Sequence, residues 1–344
     1  QVISEVYDLI RQGWRSPLIY APTGAGKTLI ASKITKDAMT RDRRILFLIH
    51  RDPLVMQTVE SLAEHGIDKD SIGFIKAGYP NASDHHQVIV ASIQSIARRD
   101  FPKDIGLIIC DEAHTTAFFS TYKKIEETYQ HDGRTGAIAI GLSASPWRNK
   151  STEYLGQHFD SIAIAATLPE LIRDGYLAKP RYFAFNGITD FTKLEIGEDG
   201  DFKRSQVEGL TMAAGFNERI VSEFIKLCPE RTAIAFCASV KQSKLLTELF
   251  NEAGITCEHI EASTPSEERA KTYKRLESGE TRILSSVGTL TEGFNVKSIS
   301  AVILARPTRS HSLFVQCCGR GLQTFPNKKD CFLLDFGGNF DRLG

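Results

Sequence analysis

No apolar run in the 344-residue chain approaches the ~18 residues that a helix needs to cross a bilayer. No basic segment followed by an apolar one opens it either, so nothing marks a secretory leader. A membrane protein is therefore not expected, and a cytoplasmic location is. Cysteine offers little framework: there are seven, an odd number, with no C-x-x-C pair. The adjacent Cys317 and Cys318 have poor geometry for zinc or an ordinary disulfide. Free, mostly buried thiols are the expectation. The chain also lacks net charge, with 42 Lys and Arg against 42 Asp and Glu, so any contact with nucleic acid has to rest on local positive charge. The first residue is Gln1 and not Met, which suggests a piece of a longer chain.

What is present is ordinary for a soluble globular protein, 42% apolar and 24% charged, and long enough for about two domains. Val2, Ile3, Val6, Leu9 and Ile10 recur at helical spacing. Leu18-Ile19-Tyr20, Arg44 to Ile49, Val88 to Ala91, Ile105 to Cys110 and Ala137 to Leu142 read as short buried strands. Asp52-Pro53 reads as an N-cap followed by proline at the first helical position. Strands alternating with helices imply a mostly parallel sheet covered on both faces, and residues 1–165 form the expected first domain. Residues 166–215 loosen into an expected connection, with Pro169, Pro180 and the acidic stretch Ile196 to Asp201 as a solvated loop. Residues 216–344 repeat the α/β alternation: strands at Thr232–Cys237, Thr256–Ile260, Arg282–Ser285, Ala301–Leu304 and Cys331–Asp335, and helices at Val240–Ala253, from Ser266, and at His311–Cys318. Thr264-Pro265-Ser266-Glu267 reads as a capping box with proline just inside the helix start.

One stretch organises the rest. Ala21-Pro22-Thr23-Gly24-Ala25-Gly26-Lys27-Thr28 lies between a strand and the helix opening Leu29-Ile30-Ala31. Small residues there let backbone N–H groups and a helix N-terminus surround a polyphosphate. Gly24 and Gly26 permit the turn, Lys27 brings charge to the β and γ phosphates, and the Thr28 hydroxyl suits Mg2+. Ala21 stands where the usual pattern has glycine. Downstream, the apolar Leu107-Ile108-Ile109-Cys110 ends in Asp111-Glu112-Ala113-His114. Acids at the carboxyl end of such a strand emerge where ligands bind in open α/β sheets. Asp111 can hold Mg2+ through its water shell, and Glu112 can orient and deprotonate a water. Taken alone, each motif has a bland counterpart, a glycine turn that binds nothing or a solvated strand end with two acids.

Together these residues resemble the helicases of superfamily 2, whose nucleotide motif reads Asp-Glu-x-His, and the resemblance runs in order along nearly the whole chain. It implies two RecA-like α/β domains, each a mostly parallel sheet with helices on both faces, and an ATP site at the interdomain cleft. Gln1 falls where the family has its adenine-reading glutamine. Leu48-Ile49-His50-Arg51 through Gln57, and Ala91-Ser92-Ile93-Gln94-Ser95, resemble the first nucleic-acid motifs. Leu142-Ser143-Ala144-Ser145-Pro146 resembles the coupling motif, with Ser145 in place of threonine. Ala235 to Val240 resembles the motif that opens the second domain. Gly288 to Val296 resembles the motif shared between ribose and nucleic-acid backbone, with Asn295 where aspartate is usual. Gln316-Cys317-Cys318-Gly319-Arg320 resembles the arginine-finger motif, and Gln323 stands where many members carry a second arginine.

The roles implied are these. Lys27, Asp111, Glu112, Gln316 and Arg320 are catalytic, with Arg320 neutralising charge on the γ-phosphoryl group. Gln1, Thr23, Gly24, Ala25, Gly26, Lys27, Thr28, Gly293 and Asn295 hold ATP, and Thr28 and Asp111 hold Mg2+. His114, Ser143 and Ser145 couple the sites, and His50, Arg51, Ser92, Gln94, Thr289 and Thr291 grip one nucleic-acid strand, DNA in preference to RNA. The basic clusters Arg41-Arg43-Arg44, Arg98-Arg99 and Lys123-Lys124 could add flanking contacts or be solvated faces. Pro146-Trp147-Arg148, Arg306-Pro307-Thr308 and Asp335-Phe336-Gly337-Gly338-Asn339 resemble RadD-like DNA repair helicases and their phage and bacterial relatives. The expected function is an ATP-dependent helicase or translocase. The alternatives left open are a duplex-tracking motor of a restriction or phage-defence assembly, an ATP-dependent nucleic-acid clamp, and a P-loop kinase or GTPase.

Overall fold

The computed structural model describes residues 1–79, 85–129, 136–146, 154–187, 189–288 and 296–344, the side chains of 116–120 excepted. Gln1–Arg148 and Thr152–Thr167 make one compact unit, and Leu168–Gly344 the body of a second.

The first unit runs α1 (Val2–Arg11), β1 (Pro17–Tyr20), α2 (Lys27–Met39), β2 (Arg44–Ile49), α3 (Pro53–Glu64), β3 (Ile72–Ile75), β4 (Val88–Ser92), α4 (Ile93–Ile96), β5 (Ile105–Cys110), α5 (Thr116–Tyr129), β6 (Ile138–Ser143) and β7 (Ser161–Ile164). Its seven strands are ordered β3-β4-β2-β5-β6-β1-β7, all parallel. Period-2 geometry explains why the central strands are apolar throughout. Ile45, Phe47 and Ile49 of β2 join one core with Val6, Ile34 and Val55 of α1, α2 and α3. Leu46 and Leu48, pointing the other way, join a second core with Ile96 and Ile125 of α4 and α5. The outermost strands β3 and β7 were not anticipated; each has only four residues, and β7 is buried at just one of them, Ala163.

The second unit runs α6 (Leu168–Arg173), β8 (Lys179–Ala184), α7 (Arg204–Thr211), α8 (Phe216–Leu227), β9 (Ala233–Phe236), α9 (Val240–Glu252), β10 (Cys257–Ile260), α10 (Ser266–Ser278), β11 (Ile283–Ser286), β12 (Ala301–Leu304), α11 (His311–Leu322), β13 (Asp330–Asp335) and α12 (Asn339–Leu343). The sheet order is β10-β11-β9-β12-β13-β8, again parallel. Phe224 of α8 and Phe250 of α9 share a core with Ala235 and Ile303. On the other face α11 packs on β12 and β13.

Three sequence readings change here. Residues 166–215 are not a bare connection: β8 pairs along its whole length with β13. It escaped notice because an edge strand with no fully buried residue has no apolar run. Pro265 is the N-cap of α10 and not its first residue, and no side chain caps that end. The Thr264 hydroxyl instead accepts the Glu261 N–H at 3.0 Å. Helix α11 continues past Cys318 to Leu322, which brings Arg320 onto its last turn. All seven cysteines are free and buried, and no helix among the described residues is long and apolar enough to cross a membrane.

Candidate nucleotide and nucleic-acid site

Because the first sheet is parallel, β1, β6, β5, β2 and β4 all end at one edge, and their following loops carry the predicted motifs. Tyr20 pairs with Ser143, and the Ala21 N–H donates to Ser143 O at 2.9 Å. The chain then turns, with the Ala25 N–H donating to Pro22 O at 3.0 Å. Gly24 and Gly26 take φ of 88° and 76°, in the left-handed region where a Cβ is costly. Gly26 is the N-cap of α2 and no side chain caps that end, so an anion there meets helix N–H groups and the positive end of the helix dipole. Gly24, Gly26 and Thr28 are exposed; Thr23, Ala25 and Lys27 are half-buried.

The acids leave β5 stitched between its neighbours. The Asp111 N–H donates to Leu48 O at 2.9 Å and the Ala113 N–H to Leu142 O at 3.0 Å. Glu112, between them, has φ of 49°, uncommon for a residue with a side chain and a form of strain concentrated at functional sites. Its Oε1 is ion-paired with Lys27 Nζ, and its Oε2 lies 3.5 Å from His114 Nδ1. His114 Nδ1 is 2.9 Å from Ser143 Oγ. Ser143 Oγ donates to Ser145 O at 2.6 Å and accepts the Ser145 N–H at 3.0 Å. One polar chain thus joins the loops after β1, β5 and β6. The Ser145 hydroxyl is buried with no hydrogen-bond partner among the described residues.

Burial pushes the Glu112 carboxyl up, but the Lys27 ammonium and His114 outweigh it and hold it at about 2. Burial and the charge on Glu112 raise Asp111 above the usual carboxylate range. Glu112 Oε2 is buried without a hydrogen bond among the described residues. Oxygen donors are what a hard divalent cation takes, and Thr28 and Asp111, to which Mg2+ was assigned, carry them.

The nucleic-acid candidates divide. Arg51 and Gln94 are exposed, whereas His50 is 4% exposed and Ser92 fully buried. The Ser92 hydroxyl is turned inward, bonded to Asp52 Oδ1 and accepting the Ser95 N–H at 3.2 Å. Asp52 is the residue that sequence reasoning missed. It precedes α3 as expected but does not cap it; its Oδ1 also accepts from Ser95 Oγ at 2.7 Å and from the Ala77 N–H at 3.2 Å. Burial raises its carboxyl, but the two serine hydroxyls, the Ala77 N–H and the Lys76 ammonium together bring it below its usual value. Asp52 thereby fixes the loops that present Arg51 and Gln94. Its place next to His50-Arg51 was the only signal. Thr289, Thr291, Gly293 and Asn295 lie outside the described residues, as do Trp147 and Arg148.

Gln1 is exposed at the N-cap of α1. Gln316 and Arg320 are half-buried on α11; the Gln316 amide is 3.5 Å from Ser312 Oγ, and the charge of Arg320 is felt at Tyr273 of α10.

With this geometry in hand, comparison with known proteins is direct. Residues 1–148 match the family model described as type III restriction enzyme, res subunit. Residues 217–323 match the helicase conserved C-terminal domain. A 51.5 kDa protein of a Lactococcus phage is 30% identical over 318 residues, 92% of this chain and 65% of that protein. The Saccharomyces cerevisiae protein IRC3, which carries an ATP-dependent helicase name, is 28% identical over 343 residues, 96% of this chain and 49% of that one. The chain belongs to the superfamily 2 helicases. This helicase chain spans roughly half to two thirds of the length of the curated relatives it matches. A fragment assigned to the HsdR subunit of a type I restriction enzyme from Vibrio vulnificus superposes with a TM-score of 0.75 at 22% identity, over 100% of this chain and 64% of that one. Both units of the helicase therefore have the RecA-like α/β fold.

Proposed function

We propose that this helicase chain is an ATP-driven motor that moves along DNA, coupling hydrolysis of the β–γ phosphoanhydride to stepwise movement. The observation that carries the reading is the polar chain from Lys27 through Glu112 and His114 to Ser143, because it connects the phosphate loop to the coupling loop. In it, Lys27 exchanges its partner Glu112 for the phosphates when nucleotide arrives. Glu112, released from that ammonium, loses the attraction that keeps its basicity low and orients the attacking water. Thr28 and Asp111 would hold Mg2+, which would supply charge neutralisation at the phosphates. Arg320 has the role carried by resemblance, a second cation for the γ-phosphoryl group. Arg51 and Gln94 contact the phosphate backbone. DNA is preferred as the track because restriction-enzyme subunits supply the family match of the first unit and a structural neighbour. The same matches favour a second reading, tracking on duplex without strand separation.

The experiment is steady-state ATP hydrolysis with Mg2+, alone and with single-stranded, duplex or forked DNA or single-stranded RNA, at two salt concentrations. Stimulation by a DNA that weakens at higher salt is the expected result. Hydrolysis that survives Lys27→Ala would sink the assignment. Stimulation by RNA alone would replace the track, and strand-displacement and duplex-tracking assays on the same preparation separate the two DNA readings.

A further inference from the structure

The segment Arg306 to Ser310, which joins β12 to α11, is held by elements far away in sequence. The stretch Glu195 to Lys203, which contains the expected solvated loop Ile196 to Asp201, is a hairpin: the Lys203 N–H donates to Glu195 O at 2.9 Å, the Gly197 N–H to Asp201 O at 2.7 Å, and Ile196 bridges Phe202. The Asp201 side chain is only 13% exposed, and both its oxygens are engaged. Oδ1 accepts the Phe202 N–H at 2.9 Å and the Arg309 N–H at 2.7 Å. Oδ2 accepts from Thr308 Oγ1 at 2.7 Å and Arg306 Nη2 at 3.2 Å. Buried Asn339, the first residue of α12, holds the same segment, donating to Arg306 O at 2.9 Å and accepting the Thr308 N–H at 2.8 Å. Thr308 Oγ1 in turn accepts the Ser310 N–H at 3.0 Å, and Ser310 Oγ caps α11 by accepting the Leu313 N–H at 3.2 Å.

The other end of α11 is closed by Lys328. Its Nζ donates to Gly321 O at 2.6 Å and to Gln323 O at 2.7 Å, carbonyls at the end of the helix that lack partners within it. Gly321 is the residue after Arg320. A 12-residue helix is a rod about 18 Å long, so fixing both ends fixes the Cα and Cβ from which each side chain along it starts.

We propose that Asp201 and Lys328 are positioning residues that clamp the two ends of α11 and so set where the Arg320 guanidinium lies during hydrolysis. The inference rests on the role given to Arg320 in the proposed function. A tilt that displaces a catalytic charge by about 1 Å can cost up to ~100-fold in rate without changing how nucleotide is first bound.

The test is steady-state ATP hydrolysis with the stimulating polymer on full-length Asp201→Ala and Lys328→Met, beside Asp201→Asn and Lys328→Arg. The first pair should lose about tenfold in kcat, with the KM for ATP within about twofold, and the second pair should recover to within about threefold of wild type, since an acceptor and two or more donors are retained. A purely architectural role would not separate kcat from KM in this way. Wild-type kcat in the first pair, or a KM that rises as kcat falls, would overturn the inference. If the first pair does not fold, Thr308→Val, which removes one of the two donors to Asp201 Oδ2, takes its place: a fall in kcat at constant KM supports the clamp, and wild-type kcat overturns it. Lys27→Ala run in parallel separates the two levels. Hydrolysis that survives there removes the ATPase reading itself, whereas its loss beside unaffected clamp variants removes only the clamp.

Discussion

At the carboxyl ends of β1, β5 and β6 the residues assigned to chemistry hold one another, whereas α11, which carries Gln316 and Arg320, is held at its two ends by other residues. Lys27 pairs with Glu112, His114 meets Ser143, and the loops of the first unit are organised by these same side chains. Arg320 and Gln316 sit on a helix whose ends are tied by Asp201, Asn339 and Lys328. A ligand that draws Lys27 away rearranges the first site, because its members are each other's partners. The second site has to act as part of a rigid body. Self-held charges suit a place that senses nucleotide, and an externally clamped rod suits a place that delivers a fixed charge.

The largest expected effect that tests this contrast is Glu112→Gln. The variant keeps nucleotide binding, since Lys27 is freed, while kcat falls by about 10²–10⁴, measured by steady-state hydrolysis beside titration with a fluorescent ADP. Hydrolysis within a few-fold of wild type would mean that Glu112 does no more than park the lysine. Gly337→Ala strikes the second unit instead. A Cβ there would meet Arg306 O at 2.2 Å and Pro307 N at 2.7 Å, backbone atoms that cannot step aside. The expected cost is about 1–3 kcal/mol of unfolding free energy in urea, with fluorescent ADP binding by the first unit unchanged; a parallel loss of binding would break the separation drawn between the two regions. Ser143→Ala should be milder, lowering DNA-stimulated hydrolysis by roughly tenfold, equivalent to about 1.4 kcal/mol, with basal hydrolysis unchanged. An equal fall in both rates would place Ser143 in the chemistry and not in coupling.

The smallest effect concerns pH. Burial pulls the Lys328 ammonium down to about 8, below the ~10.4 of an exposed lysine. The nearby Arg231 guanidinium acts in the same direction and Cys331 opposes it, while Asp330 is occupied by Arg231 at 2.7 Å. Between those two pH values the unfolded chain binds the extra proton, so the cost of burying the charge is present below about 8 and is relieved as pH rises towards ~10. Thermal unfolding of wild type should therefore gain on Lys328→Met over that window. The neutral amine still has two N–H groups for Gly321 O and Gln323 O. No gain would indicate that the ammonium is better solvated than its surroundings imply.

The sequence by itself determined the alternation of strand and helix, because residues buried on both faces of a parallel sheet must be apolar in unbroken runs, as in Ile45 to Ile49. It also determined the phosphate loop and the acids of β5, whose residue types are dictated by local chemistry. Free buried thiols followed from the same composition. The edge strands β7 and β8 were invisible because partial exposure removes the apolar run, and β3 because its four residues, broken by Gly73, are too short a run. Ser92 was legible as a hydroxyl at a strand end, but not as one turned inward to Asp52, 40 residues away. Only the tertiary structure decided which polar groups meet: Lys27 with Glu112 across 85 residues, and Asp201 with Arg309 across 108. Such pairings carry no period and no motif. They exist because the parallel register and the hairpin bring distant loops to one place, where a buried charge has to find a partner.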